Sequence, residues 1–279
     1  MPPFSEAAAT WPSDLMSSPM SPPSPASLLT VAGRRLDHLV KNESGAWPTL
    51  VFLHEGLGSI ELWRSYPDEV VTAADHRGLV YSRSGHGWSE VQDGPRPLDF
   101  VDREALEVLP PLLDQLDASP PILIGHSDGA SISLVYAAHH QAEALVLLAP
   151  HVFAEDEGLT SIEALSQPSA GDDLIERMAK YHRDPEATFW AWNNVWLDPG
   201  FKSWNIEDVL SEIECPVLLI QGLDDEYGTM AQIEAIERQV SGPVERLVLE
   251  DCGHSPHLSQ PERTLAATVR FIREGWGES

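Results

Sequence analysis

The segment with the clearest chemical signature is Gly125-His126-Ser127-Asp128-Gly129, which matches the pattern Gly-x-Ser-x-Gly. It follows a short apolar run at residues 122–124 and opens a helical pattern that continues to about residue 140. A serine on a sharp turn between a strand and a helix is held with its hydroxyl exposed. The amides at the start of that helix favour negative charge that develops nearby. We therefore interpret Ser127 as a catalytic nucleophile.

A serine hydroxyl is a weak nucleophile unless a general base accepts its proton. His254 is the candidate base, because it lies in a loop with Gly and Pro after the last apolar run, from which an imidazole can reach over the end of a sheet. His257 is the alternative, although its position favours the start of the terminal helix.

The base in turn requires a carboxylate that fixes its tautomer and stabilises the imidazolium. Asp224 and Asp225 are adjacent candidates, and both follow the apolar run at residues 217–220. Spacing along the chain leaves the choice between them open.

An oxyanion formed during acyl transfer needs two backbone N–H donors directed at one point. The residue after the nucleophile, Asp128, is expected to supply one of them. The loop that follows residues 50–53 contains Gly56 and Gly58, and we expect the amide of Gly56 to supply the other.

The chain order Ser127, Asp225, His254 resembles that of the α/β-hydrolase superfamily, and the resemblance extends from about Val31 to Trp276. In that family the acid follows the strand with Gly-x-x-Asp spacing, which favours Asp225 over Asp224. The family usually carries His-Gly where this chain has His54-Glu55-Gly56. A carboxylate beside an oxyanion hole opposes oxyanion formation unless it points away or is protonated.

Short apolar runs alternate with helical patterns along most of the chain. The strand candidates lie at residues 34–40, 50–53, 79–82, 121–124, 144–148, 217–220 and 246–249, and the helix candidates at 99–117, 128–141, 229–240 and 259–274. This alternation predicts an α/β fold in which a mostly parallel sheet has helices on both faces. The stretch at residues 79–89 resembles a structural loop of the hydrolase family.

Two intervals interrupt this rhythm. Residues 1–27 are rich in Pro, Ser and Ala, and such a composition predicts a disordered tail. Residues 151–214 have a helical pattern without a strong strand signal, which predicts a helical cap inserted between the core segments 28–150 and 215–279. Within the cap, Trp192 and Trp196 share a helical face and are candidates for the substrate-binding surface, or for packing the cap onto the core.

Charge and composition restrict the partners. The net charge of −27 argues against a nucleic-acid backbone or an anionic membrane as the main partner, because both recruit Lys and Arg. Two cysteines are too few for a disulfide scaffold, and neither a membrane span nor a secretory signal is apparent. We therefore expect a cytoplasmic protein with a small-molecule substrate. No metal-binding pattern, dinucleotide fingerprint or P-loop is present, so no metal and no cofactor are expected.

These features favour a cofactor-free serine hydrolase that cleaves a small neutral carboxylic ester through an acyl-enzyme. The resemblance also allows carbon–carbon hydrolysis of a vinylogous diketone, and hydrolysis of a lactone. A non-catalytic protein that binds a small molecule on a hydrolase fold is the alternative from a different class. The sequence alone does not predict the oligomeric state.

Overall fold

The computed structural model describes residues 28–274, so the predicted tail at residues 1–27 lies outside the described residues. Eight strands form one sheet in the order β1-β2-β4-β3-β5-β6-β7-β8. The antiparallel pairs are β1 with β2 and β2 with β4, and every other neighbouring pair is parallel. The strands are β1 Leu29–Val31, β2 Arg34–Lys41, β3 Ala46–Leu53, β4 His76–Ser82, β5 Ile122–His126, β6 Ala144–Leu148, β7 Val217–Gly222 and β8 Val244–Leu249.

Ten α-helices lie among the described residues. They are α1 Tyr66–Ala74, α2 Phe100–Arg103, α3 Leu109–Gln115, α4 Asp128–His139, α5 Asp156–Leu165, α6 Pro168–Met178, α7 Pro185–Leu197, α8 Met230–Gln239, α9 Pro256–Ser259 and α10 Pro261–Glu274. A π-helix at Glu104–Val108 joins α2 to α3, and 3₁₀ helices occupy Glu61–Trp63, Phe201–Ser203 and Glu207–Glu212.

The central strands are apolar throughout because helices cover both faces of the sheet. Every residue of β5, β6 and β7 is buried, and separate apolar clusters lie on the two sides. One cluster contains residues of α3 and α4, and the other contains residues of α1 and α10. The predicted α/β fold with a mostly parallel sheet is therefore confirmed.

The structure differs from the sequence prediction at the edges of the sheet. Strand β8 is the last strand and is only partly buried, whereas its apolar residues suggested cover on both faces. The short strand β1 and the helix α1 have no counterpart among the predicted elements. Edge strands carry weaker patterns because fewer of their side chains face a core, and short elements offer few repeats of the pattern.

The interval between β6 and β7 contains α5, α6, α7 and two of the 3₁₀ helices. Its extended backbone is limited to one isolated bridge between Phe153 and Asn205. We keep the name cap for residues 151–214. No helix among residues 28–274 is long and apolar enough to cross a membrane.

Candidate active site

Ser127 lies on the turn between β5 and α4 with φ 53° and ψ −118°. A non-glycine residue rarely adopts this conformation, and such strain is typical of functional sites. The turn is possible because Gly125 and Gly129, two positions away on either side, have no side chains. A Cβ on Gly129 would lie 2.0 Å from the carbonyl oxygen of Leu53, and one on Gly125 would lie 2.5 Å from the carbonyl oxygen of Gly129. The two glycines therefore allow β3, the turn and α4 to approach closely.

Three side chains from separate loops meet at this turn. His254 Nε2 is 2.9 Å from Ser127 Oγ, and His254 Nδ1 is 2.8 Å from Asp225 Oδ1. The three loops follow β5, β7 and β8, whose carboxyl ends lie at the same edge of the sheet. The arrangement has the connectivity of a serine, a base and an orienting acid.

The carboxylate of Asp225 is held by several donors. Its Oδ1 accepts a hydrogen bond of 2.9 Å from the N–H of Tyr227, and its Oδ2 accepts one of 2.8 Å from Gln221 Nε2. Burial opposes ionisation, but the charge and hydrogen bond of His254 outweigh it and lower the pKa of Asp225 to about 2. Asp224, by contrast, is exposed, so its carboxylate does not take part in this arrangement.

The contact with Asp225 also changes the pKa of His254. Burial alone would lower its pKa, but the charge and hydrogen bond of Asp225 raise it above the ordinary value, and Glu226 and Glu55 act in the same direction. A base with a raised pKa holds the proton taken from serine more firmly during the reaction.

His257 occupies a different environment. It is buried in α9, where its ring centre lies 5.1 Å from those of Trp63 and His126. Burial lowers the pKa of His257 to about 3. The histidine that reaches Ser127 is therefore His254, and His257 packs behind it.

The loop after β3 is held through its carbonyl groups. The guanidinium of Arg83 donates to the carbonyls of His54 and Glu55. His54 Nε2 accepts a hydrogen bond from the N–H of Arg83, so its Nδ1 carries the hydrogen and donates 2.7 Å to the same carbonyl of Glu55. The peptide between Glu55 and Gly56 is trans, so the Gly56 N–H points away from Arg83. That N–H has no acceptor within residues 28–274.

Asp128 begins α4, so its N–H lacks an acceptor within the helix. Its side chain is buried, and neither carboxylate oxygen makes a hydrogen bond of ordinary geometry to another described residue, although the indole of Trp196 stabilises its charge. Arg83 Nη2 lies 3.9 Å away and balances part of the charge. Burial raises the pKa of Asp128, although Arg83 and Arg96 oppose this effect.

Glu55 lies beside the candidate oxyanion position, and its carboxylate is 3.7 Å from His126 Nδ1. Burial alone would raise its pKa, but the neighbouring His126 and His54 hold the pKa of Glu55 well below its usual range. Its carboxylate is therefore ionised at neutral pH, directed toward His126 and Gly58.

A cavity of about 150 Å³ opens above Ser127. Core loops and the cap enclose it, and most of the cap's contribution is apolar. Its walls include Gly56, Asp128, Leu159, Ile162, Leu174, Trp192 and Trp196. Both tryptophans thus face the cavity and also belong to the apolar core, whereas Trp190 is exposed. The cap residues form a compact, mainly apolar slot over Ser127.

Sequence reasoning missed three charged residues of this cavity, Glu155, Glu226 and Arg64. Glu226 lies one position after Asp225 and approaches the N–H of His254 at 3.3 Å. Arg64 donates a hydrogen bond of 3.1 Å to the hydroxyl of Tyr181, and its buried Nε has no partner within residues 28–274. No local motif marks Arg64, because it enters the cavity from the loop before α1.

No group of three His, Cys, Asp or Glu side chains suited to a metal ion occurs among the residues that the structure describes. Both cysteines, Cys215 and Cys252, are free thiols.

Comparison with known proteins agrees with this geometry. The model of the alpha/beta hydrolase family matches residues 50–267, which is most of the chain. The chain belongs to the alpha/beta hydrolase family. Its predicted resemblance to that family is confirmed, and the match includes all three loops that meet at Ser127.

Individual relatives within this family are distant. A proline iminopeptidase of Lactobacillus helveticus is 22% identical, with 84% of this chain and 92% of that protein covered. The (E)-2-((N-methylformamido)methylene)succinate hydrolase of Acinetobacter baylyi is 26% identical, with 82% and 92% covered. The crystal structure of an enol-lactonase from Burkholderia xenovorans has a TM-score of 0.72 at 17% identity, with 88% and 99% covered. The last similarity concerns the fold alone.

Proposed function

We propose that this protein is a cofactor-free serine hydrolase that cleaves a small, uncharged carboxylic ester through an acyl-enzyme. The observation that carries the proposal is the hydrogen-bonded chain from Ser127 Oγ through His254 to Asp225, with distances of 2.9 and 2.8 Å. Nucleophile and base within hydrogen-bond reach, with the base oriented by a third group, is the arrangement that activates a serine.

In this mechanism Ser127 Oγ attacks the ester carbonyl while His254 Nε2 accepts its proton. His254 then protonates the leaving alcohol, and Asp225 stabilises the imidazolium that exists between these steps. The N–H groups of Asp128 and Gly56 bind the oxyanion, which agrees with the Gly56 N–H pointing away from Arg83. His254 finally activates a water molecule that releases the acid and restores the hydroxyl of Ser127.

The cavity supports the substrate class. A volume of about 150 Å³ with Trp192, Trp196 and aliphatic residues in its walls suits a short acyl or aromatic group. The carboxylates of Glu55, Glu155 and Glu226 line the same cavity and disfavour a polyanionic substrate. An enol-lactone is itself a cyclic ester, so the structural similarity to an enol-lactonase is compatible with this substrate class.

The test is a panel of p-nitrophenyl esters of increasing chain length, together with labelling by a fluorophosphonate probe. Labelling of Ser127 and turnover that is highest for short acyl chains support the proposal. A folded protein that is neither labelled nor active on any ester would refute it and favour a non-catalytic binding protein.

Arg64 favours a second candidate, the carbon–carbon hydrolysis of a vinylogous diketone that carries a carboxylate. Arg64 lines the cavity, where its guanidinium can bind a substrate carboxylate. Arg64→Gln should raise KM for such a diketone while leaving hydrolysis of neutral esters unchanged. Turnover of the diketone well above that of every ester would favour this second reaction.

A further inference from the structure

A second cavity, of about 860 Å³, lies next to the loop that carries Gly56. We call it the arginine cavity, because six arginines line it: Arg34, Arg35, Arg83, Arg96, Arg103 and Arg183. The whole chain has only 17 Lys and Arg residues and a net charge of −27. The three carboxylates in its wall, Glu90, Asp93 and Glu104, leave the lining residues with an excess of positive charge. About a third of the chain's Lys and Arg residues therefore line this one cavity.

Arg96 is the most unusual member of this cluster. It is only 7% exposed, and no carboxylate oxygen lies within 4.0 Å of it in the described part of the chain. Its guanidinium lies over the ring of Phe100 and 3.1 Å from His86 Nε2. Burial and the charge of Arg83 lower the pKa of Arg96 to about 10, so it remains ionised at neutral pH. Asp128 and Glu104 stabilise its charge from beyond 4.0 Å, but neither forms a direct ion pair with Arg96, so this buried cation can still bind an anion.

The carboxylates in the wall do not fill this role. Glu104 lies 3.8 Å from Arg34 and accepts a hydrogen bond from the hydroxyl of Tyr81, and Glu90 lies 3.9 Å from Arg35. Arg183 is exposed at the rim, and its guanidinium donates to the carbonyl of Trp88. Arg103 pairs with Asp99, 2.8 Å away. Arginine side chains from several elements line one cavity, and planar guanidinium groups match the oxygen geometry of a phosphate group.

His86 joins this cavity to the loop beside Ser127, and its hydrogen bonds conflict. Its Nε2 lies 2.9 Å from the carbonyl of Gly56 and its Nδ1 lies 3.1 Å from the carbonyl of Ser84, so both contacts require a hydrogen on the ring nitrogen. Its Nε2 is also 3.1 Å from the donor Nη2 of Arg96, which requires a lone pair there. A neutral ring cannot satisfy all three contacts, and burial together with Arg96 keeps the pKa of His86 low.

We propose that the arginine cavity binds a phosphate group, and that the anion draws Arg96 away from His86 so that Nε2–H donates to the carbonyl of Gly56. The anion thereby removes the competition at Nε2, in exchange for the Nδ1 contact with the carbonyl of Ser84, and tightens the loop that presents the Gly56 N–H. The binding step is independent of the proposed function, whereas the effect on hydrolysis rests on it. His86 is a positioning residue in this scheme.

Calorimetric titration of the full chain with inorganic phosphate, and separately with glycerol phosphate, tests the binding step. Saturable binding of either is expected, and the comparison shows whether the free ion or a phosphate monoester is preferred. Arg96→Met removes the buried cation, and Arg183→Gln removes an exposed one at the rim, which keeps the test valid if the first variant does not fold. Each should weaken binding about tenfold, as loss of a charged hydrogen bond does.

Arg246→Gln is the matched control, because this arginine pairs with Glu237 on the surface, 3.0 Å away, outside the cavity. It should bind phosphate like the unmodified protein. No saturable binding of either probe would overturn the proposal. Equal binding by Arg183→Gln and Arg246→Gln would also overturn it, because the anion would then lie elsewhere.

Nitrogen-15 NMR of His86 tests the coupling without reference to activity. Phosphate should move the ring to the Nε2–H tautomer, and Arg96→Met should show that tautomer without phosphate, because methionine has no donor. Phosphate should also raise kcat for a p-nitrophenyl ester about two- to tenfold with little change in KM, and not in Arg96→Met. An unchanged His86 tautomer at saturating phosphate would refute the coupling, even if the protein hydrolyses no ester.

Discussion

Replacing Asp225 by asparagine tests whether this carboxylate, which contacts His254, is the acid of the proposed mechanism. The change keeps the size of the side chain but replaces one carboxylate oxygen by an amide nitrogen. Because Oδ1 accepts from the N–H groups of Tyr227 and Gly228, the oxygen of the asparagine should occupy that position. Its nitrogen then takes the place of Oδ2.

This nitrogen lies next to two other residues. Oδ2 receives a hydrogen bond from Gln221 Nε2, and the buried Gln221 Oε1 has no partner among residues 28–274. A flip of the Gln221 amide can therefore satisfy the new donor, and the variant should fold. The nitrogen donor then lies where Oδ2 is 3.0 Å from His254 Nδ1, in competition with the oxygen at the Oδ1 position 2.8 Å away, and it favours the tautomer with hydrogen on Nε2. That tautomer cannot accept the proton of Ser127.

The size of the effect has two parts. Burial opposes ionisation of Asp225, but His254 and the other neighbours lower its pKa from the ordinary 3.8 to about 2, which corresponds to roughly 2 kcal/mol of net stabilisation of the carboxylate. Loss of that charge alone predicts a decrease in kcat of about 30-fold. The wrong tautomer adds to it, and a total decrease of about 10⁴-fold is expected, as for a comparable change in another serine hydrolase.

The assay is steady-state hydrolysis of a short p-nitrophenyl ester, with circular dichroism as the check on folding. Asp224→Asn is the matched control, because it removes the same charge from the adjacent, exposed position. Its kcat should stay within about twofold of the unmodified protein, since exposed charges contribute little. A kcat for Asp225→Asn within tenfold of the unmodified protein, or an equal loss in both variants, would refute the reasoning.

Three further predictions concern the same site. Ser127→Ala should lower kcat/KM about 10⁴-fold and abolish fluorophosphonate labelling, and residual activity near the unmodified level would remove Ser127 from the mechanism. Gly56→Ala should lower the free energy of unfolding by about 1–3 kcal/mol and reduce kcat, because the new Cβ would lie 2.2 Å from Trp192 Nε1. Adding Trp192→Phe should recover part of the lost stability and activity, as measured by calorimetry and ester hydrolysis. No recovery in the double variant would show that the clash lies elsewhere. The kcat/KM should rise with pH through the pKa of His254, above 6.5, because only the neutral imidazole accepts a proton and Asp225 raises its pKa against burial. Glu226→Gln should move that rise to lower pH, and a pH profile that does not move would exclude its charge as a cause.

The local sequence pattern was sufficient to predict the strands and the turn that support the site. Continuous apolar runs identified the buried strands β5, β6 and β7, because helices on both faces impose the same requirement at every position. The segment at residues 125–129 also predicts a tight turn, because its two glycines allow the strand and the following helix to approach closely. Strand β1 has only three residues, and the nine residues of α1 repeat their buried positions over little more than two turns, so neither element was predicted.

The site itself depends on residues far apart in the chain. His254 and Ser127 are 127 positions apart, and only the common edge of the parallel sheet brings their loops together. Asp224 and Asp225 have the same chemistry and nearly the same position in the sequence. The turn after β7 leaves Asp224 exposed and directs Asp225 toward His254. The direction of the backbone in this turn decides between them, because the two residues are of the same type.

Thus the sequence by itself determined the fold class, the family and the types of residue available for chemistry, because apolar periodicity and tight turns are local properties. The tertiary structure alone decided that Arg83 clamps the loop of Gly56, that Arg64 enters the cavity and that His86 faces Arg96. The direction of a hydrogen bond and the burial of a side chain depend on packing between segments that are distant in the chain. They cannot be predicted from the sequence of any one segment.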